Sequence, residues 1–177
     1  MPDPLSPAQR HICMSHNRSS NTKLEVKLRK ELFRIGYRYR INKKGLPGSP
    51  DIVLAKYRTC IFVNGCFWHG HEDCRYATRP KTNAEFWRSK IENNRERDLK
   101  DYAFLESLGW RVIVVWECEL KKALIDATIA SVRKQLEANR DSWLADIADR
   151  RQRREEWQAE IRRRKERTVS LNLDLLK

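Results

Sequence analysis

Nine consecutive residues, Cys66-Phe67-Trp68-His69-Gly70-His71-Glu72-Asp73-Cys74, hold two thiols and two imidazoles. No other stretch limits the fold so tightly. Two thiolates and an imidazole at this spacing suit a tetrahedral Zn²⁺ ion. Cys66, His71 and Cys74 supply three ligands. Cys118 follows the apolar run Arg111–Trp116 and completes the set if adjacent strands bring it back to the cluster. A Cys₃His site has no open position, so the expectation is a structural zinc. The alternative is buried cysteines with surface histidines. Five cysteines, an odd number, argue against a full disulfide framework. Cys60 reads as core, and Cys13 has no partner pattern. His69 is left for other work: imidazole titrates near neutrality and can take a proton from an attacking water. His69 as a second zinc ligand stays open.

Around this cluster the pattern is mixed α/β. A helix is expected from Asn21 to Phe33, with a capping box formed by Thr22 and Glu25 and an apolar face of Leu24, Leu28 and Leu32. Gly36 stops it. Tyr37–Ile41 alternates as a strand does, and a Gly- and Pro-dense loop follows to Pro50. Asp51–Ala55 and Cys60–Val63 read as an antiparallel hairpin. Asn83–Leu108 reads as a long helix with a stripe of Phe86, Ile91, Leu99, Tyr102 and Leu105. Arg111–Trp116 reads as a strand buried on both faces. The order helix, three strands, helix, strand, helix predicts a mixed central sheet flanked by helices. Three regions are expected: a flexible arm (1–20), a core (21–125) and a charged helical extension (126–177) whose few apolar positions predict that it projects or frays.

The charge balance bears on partners. Thirty-seven Lys and Arg against 24 Asp and Glu give +13, which favours a polyanionic partner because phosphate neutralisation releases counterions. No run approaches the roughly 20 apolar residues of a membrane span, and the polar, Pro-interrupted start carries no secretory pattern. These features point to a cytosolic protein with no membrane partner. Asp51, after Gly48-Ser49-Pro50, opens an apolar strand; a carboxylate there is a hard ligand for Mg²⁺, and equally an ordinary turn residue. Phe67, Trp68 and Trp87 are aromatics in a polar, basic setting. They can stack on bases or wedge between them, or cover the zinc.

At these residues the chain resembles the very-short-patch-repair DNA mismatch endonucleases. The matching stretches are NTKLEVKLRKELFRIGYRYR, LPGSPDIV, IFVNGCFWHGH, TNAEFWRSKIENNRERD and LGWRVIVVWECEL, within roughly residues 10 to 120. The resemblance implies a restriction-endonuclease-like core with a structural zinc. The implied enzyme cuts one DNA strand 5′ to the thymine of a T·G mismatch that arises by deamination of 5-methylcytosine. It implies Mg²⁺ at Asp51 and the Val63 backbone carbonyl, His69 as general base, Asp98 as its acidic support, and Glu25 as an acidic residue near the site. It assigns Phe67, Trp68 and Trp87 to wedging into DNA, Met14 to a DNA-clamping arm, and Cys66, His71, Cys74 and Cys118 to zinc. It further implies a bacterial cytoplasmic, nucleoid-associated monomer with other repair proteins as further partners. Three departures stand out. Position 64 is Asn where a member has a histidine; the His71–Cys74 spacing is one residue longer; and the Arg-rich tail beyond about Asp126 has no counterpart. The lysine usual after the second strand of such nucleases is also missing, where the run reads Phe62-Val63-Asn64-Gly65. The competing readings are a restriction or homing-type nuclease on paired DNA, and a non-catalytic zinc-stabilised DNA-binding module.

Overall fold

The computed structural model describes Ser6, Ala8, Gln9, Ile12 and residues 21–41, 43–78 and 80–174, with side chains to Arg164. The expected arm, with Met14 and Cys13, lies almost wholly outside the described residues, and Met14 entirely so. The chain divides into two compact units, residues 1–139 and 140–177.

Helix α1 (Lys23–Arg34) begins where Thr22 and Glu25 form the expected capping box: Glu25 N–H donates to Thr22 Oγ1 at 3.3 Å and Thr22 N–H to Glu25 Oε1 at 3.1 Å. Leu28 and Leu32 are fully buried on its inner face. The chain then turns at Gly36, whose φ of +98° costs a glycine little. The expected strand Tyr37–Ile41 is not formed. It shrinks to one antiparallel bridge, Arg40 with Val53, because Tyr37 N–H is still tied to the helix end at Leu32 and the loop leaves after Arg40.

Strands β1 (Ile52–Leu54) and β2 (Thr59–Asn64) form the expected hairpin through a 3₁₀ turn at Ala55–Tyr57, with Arg58 left-handed at its end. Helix α2 (Ala84–Ser107) then carries the chain across to β3 (Arg111–Trp116), which lies parallel to β2. The sheet is small and mixed, in the order β1-β2-β3. Helix α3 (Ile125–Asp174) follows a 3₁₀ turn at Glu117–Leu120.

Alternation sorts the strand residues to two faces. Ile52, Leu54, Ile61, Ile113 and Val115 meet Leu28 and Leu32 of α1 and Ile129, Val132 and Leu136 of α3. Val53, Cys60 and Phe62 meet Leu105 and Trp110. Strand β3 is not buried on both faces as expected: Ile113 and Val115 are buried, while Val112, Val114 and Trp116 are only half-buried. Helix α2 covers that second face chiefly through Leu105, and its expected stripe is incomplete, with Phe86 and Leu99 exposed.

Within the second unit the described side chains pair along the helix: Asp149 with Arg153, Arg151 with Glu155 and Glu160 with Arg164. This is a solvated face with i,i+4 pairs, each worth a few tenths of a kcal/mol. No helix among the described residues is long and apolar enough to cross a membrane.

Leu28 sits at the contact between α1 and the sheet with no exposed area. Leu28→Ala is expected to lower the unfolding free energy by about 2–5 kcal/mol, read from denaturant titration. A loss under about 1 kcal/mol would mean that α1 does not anchor the core.

Candidate active site and metal centre

Two groups of side chains form where β2 and β3 end. The register pairs Asn64 with Trp116, so the chain leaves both strands at the same level, and Cys66 and Cys118 each stand two residues further on. His71 and Cys74 come from the intervening loop. The four ligand atoms lie within 4.8 Å of one another. His71 Nδ1 is 3.5 Å from Cys66 Sγ and 3.4 Å from Cys118 Sγ. Those separations match the edges, about 3.5 Å, of a tetrahedron with zinc-like bond lengths. Burial pushes the Cys66 thiol up to about 12. A thiolate there therefore calls for a cation. The residues fit a metal ion.

Trp116 stacks flat on His71, ring centroids 4.1 Å apart at 2°. The aromatic lid of this cluster is thus Trp116, which the sequence reading placed in a buried strand. Phe67, Trp68 and Trp87 do not cover the cluster in this way. They pack edge to face on one another at 5.1–5.9 Å and remain half-buried, and Phe86, 61% exposed, adds to Trp87 at 5.2 Å.

The loop is pressed against α2. Gly70 has φ +61°, and a Cβ there would stand 2.7 Å from Ile91 Cγ2. Only glycine permits this approach. Asn94, buried on α2, donates to the Trp68 carbonyl at 2.9 Å. One turn further along, Asp98 Oδ2 takes His69 Nδ1 in a very short contact. His69 and His71 therefore part company: His71 enters the Cys cluster and His69 pairs with Asp98. With Nδ1 on Asp98, the Nε2 atom is left to face other groups.

His69 and Asp98 line a cleft of about 1160 Å³ together with Glu25, Asp51, Val63 and Trp68. Asp51 enters from the start of β1. Its Oδ2 accepts from Val63 N–H at 2.7 Å. Val53 turns its N–H and C=O to Arg40, so by alternation Ile52 and Leu54 turn theirs to β2. Carrying that register on sets Val63 opposite Pro50, which has no N–H. The Val63 carbonyl thus lacks a ladder donor beside the Asp51 carboxylate. Burial pushes the Asp51 carboxyl up to about 6, the Val63 N–H pulls it down, and Glu25 alongside raises it again. A half-buried carboxylate next to a spare carbonyl fits a hard divalent cation.

Glu25 is held more firmly than its sequence role suggested. Besides the cap, its Oε2 accepts from Asn21 N–H and from Arg29 Nη2, each at 2.9 Å. Arg29 is buried, also donates to the Asp51 carbonyl at 2.9 Å and to Asn21 Oδ1 at 2.7 Å, and is the fixed positive charge under the two carboxylates. Helical spacing offered a signal for it, since Arg29 is i+4 from Glu25, but not for its burial. Sequence reasoning also missed that Tyr102 and Asn64 meet. Asn64 is buried, and its Nδ2 donates to the Tyr102 hydroxyl at 3.1 Å. Burial pushes the Tyr102 phenol up to about 12.

The family model for DNA mismatch endonuclease Vsr matches residues 2–75. The type II nicking enzyme V.XorIIP of Xanthomonas oryzae pv. oryzae is 51% identical over 120 residues, covering 68% of this chain and 88% of that protein. The type II nicking enzyme V.NmeAIP of Neisseria meningitidis is 50% identical over 125 residues, 71% of this chain and 89% of that protein. DNA mismatch endonuclease Vsr of Escherichia coli is 46% identical over 101 residues, 57% of this chain and 64% of that protein. Likeness of this extent makes the chain a DNA endonuclease. It belongs to the DNA mismatch endonuclease Vsr family.

Two measurements follow. The folded value of Asp51 lies above its ordinary 3.8, so its contribution to stability is present below about pH 4 and is lost as pH rises through about 6. Without metal, Asp51→Asn is therefore expected to stabilise the protein above pH 6, by on the order of 2 kcal/mol, and to have little effect at pH 4. Equal effects at both pH values would remove the electrostatic explanation. Cys118→Ser is expected to empty the Cys/His cluster and to cost on the order of 3 kcal/mol or more. Metal analysis and denaturation read this. Full stability after exhaustive chelation would rule out a structural ion.

Proposed function

We propose that this chain is a strand-specific DNA mismatch endonuclease of very short patch repair. It nicks one strand 5′ to the thymine of a T·G mismatch left by deamination of 5-methylcytosine. The observation that carries this reading is the convergence of Asp51, Glu25, Val63, His69 and Asp98 on one cleft in a chain of the Vsr family. The core is read as restriction-endonuclease-like, residues 21–125, with a charged helical extension from 126. The enzyme acts as a cytoplasmic monomer on nucleoid DNA, alongside other repair proteins.

Asp51 and the Val63 carbonyl would hold Mg²⁺, which when bound supplies charge stabilisation to the phosphate and the leaving 3′ oxygen. Cys66, His71, Cys74 and Cys118 would hold Zn²⁺, which fixes the loop carrying His69 and takes no part in the chemistry. His69 accepts a proton from the attacking water at Nε2. Asp98 holds the ring at Nδ1, fixes the tautomer and stabilises the imidazolium that results. No lysine stands after β2, and His69 supplies the base in its place. Arg29 fixes Glu25 and the start of β1, so the Asp51 carboxylate meets the phosphate from a rigid strand end.

Trp68 lines the cleft, and a patch of half-buried Phe67 and Trp87 with exposed Phe86 runs on from it. Such rings wedge into a duplex at less cost where a T·G pair has weakened the stack. The net charge of +13 supplies the sequence-independent share of DNA affinity.

Paired duplexes carrying T·G or C·G in several cytosine-methylation contexts test this reading, with Mg²⁺ or with EDTA. Nicking is expected only on the thymine strand of T·G and only with Mg²⁺. His69→Ala should slow it by about 10²–10⁴-fold and Asp51→Ala should abolish it, both with DNA binding retained. Equal cutting of the paired duplex would instead make the chain a restriction-type nuclease. No cutting in any context would make it a DNA-binding module.

A further inference from the structure

The proposed mechanism leaves one wall of the cleft unexplained. Asp51 rises from β1 on one side and Asp98 from α2 on the other, and Tyr102, one helical turn beyond Asp98, lines the cleft with both. The Tyr102 ring is packed on Phe62 of β2, centroids 4.8 Å apart, so the phenol cannot swing freely. Asn64, buried at the end of β2, donates its amide hydrogen to the phenolic oxygen. A phenol has one hydrogen to give and two lone pairs to receive. The Asn64 bond uses a lone pair, so the hydroxyl hydrogen has to point elsewhere. Among the described residues no protein acceptor takes it. Burial and the charges of Asp98, Asp51 and Asp101 push the phenol up to about 12, against the Asn64 hydrogen bond, which pulls it down.

The needs of the reaction match this donor. Phosphodiester hydrolysis piles negative charge on the non-bridging oxygens, and a group held in place beforehand stabilises it best. Of the cations that line the cleft, Lys23 and Arg97 are both exposed, and Arg97 is paired with Asp98; Arg29, buried beneath it, is committed to Glu25, Asn21 and the Asp51 carbonyl. No lysine follows β2. We propose that Tyr102 is a further catalytic residue: its hydroxyl, oriented by Asn64, donates a hydrogen bond to a non-bridging oxygen of the scissile phosphate. Asn64 is the positioning residue. This rests on the reading of the cleft as the nicking site, and it gives Asn64 a task at a place where proton transfer is closed to it.

Tyr102→Phe keeps the ring and its packing on Phe62 and removes only the donor. Single-turnover nicking is to be measured on duplexes that carry each of the two phosphorothioate diastereomers at the scissile phosphate, and on the all-oxygen duplex. For Tyr102→Phe the all-oxygen rate is expected to fall about a hundredfold. DNA affinity and unfolding midpoint should stay at wild-type values. One diastereomer should slow the wild type and cost Tyr102→Phe much less, since the contact that sulfur weakens is already gone. Asn64→Ala should reproduce part of the rate loss and of the altered sulfur effect. A Tyr102→Phe enzyme with the wild-type rate, or with a wild-type response to both diastereomers, would overturn the proposal. So would a variant that loses only affinity. Asp51→Ala keeps the two readings separate: if it nicks normally, the cleft is not the site; if it is dead while Tyr102→Phe is unaffected, only the role of Tyr102 falls.

Discussion

The parallel pairing of β2 with β3 is the constraint on which both groups of side chains depend. Antiparallel neighbours are joined by a short turn, but parallel ones need a crossover, and here the crossover is the 24-residue helix α2. That helix has to return along the sheet, so it passes directly over the loop that leaves β2. Asn94, Asp98 and Tyr102 are the residues it presents as it passes, at spacings of four, which keeps them on one face. The Cys cluster is the other product of the same pairing, since in-register strands release Cys66 and Cys118 side by side. A single sheet contact thus explains why the Cys/His cluster and the His69–Asp98 pair are neighbours.

Charge is distributed within the cleft by burial more than by number. Glu25 and Asp51 lie together, and the Glu25 charge opposes ionisation of the Asp51 carboxyl. Arg29 offsets this from beneath, with Nη atoms on Glu25, on the Asp51 carbonyl and on Asn21. Its Nε is buried with no partner among the described residues, a cost of the kind found where function outweighs packing. The cap of α1 is drawn into the same network, because the carboxylate that closes the capping box is the one that faces Asp51. Helix initiation and site electrostatics therefore share an atom group.

Much of this was legible in the residues. The capping box at Thr22 and Glu25, the hairpin, the length of α2 and the meeting of Cys118 with the loop follow from local pattern and ligand chemistry, and each has its counterpart in the structure. The failures have a common cause. Tyr37–Ile41 alternates like a strand, but pairing needs a free edge over several residues, and only Arg40 finds one. Val112 and Val114 look as buried as Ile113 and Val115, because apolar character does not say how well a helix covers a face. The contacts of Trp116, Asn64 and Tyr102 were invisible for a related reason. They join residues 38 or 45 positions apart, and nothing in a window of ten residues reports a stacked ring or a buried amide.

The loop between β2 and α2 carries a further consequence in its length. From Gly65 to His71 it is wound tightly: His69 N–H bonds to Gly65 O, Gly70 N–H to Phe67 O and His71 N–H to Cys66 O. Beyond His71 the turn is loose, with Glu72 and Asp73 exposed and Asp73 in a left-handed conformation. A residue added or removed at Glu72–Asp73 would break none of these three backbone bonds. An insertion anywhere from Cys66 to His71 would rotate one imidazole out of its role. Tolerance of a change in loop length is thereby confined to a single turn, at Glu72–Asp73.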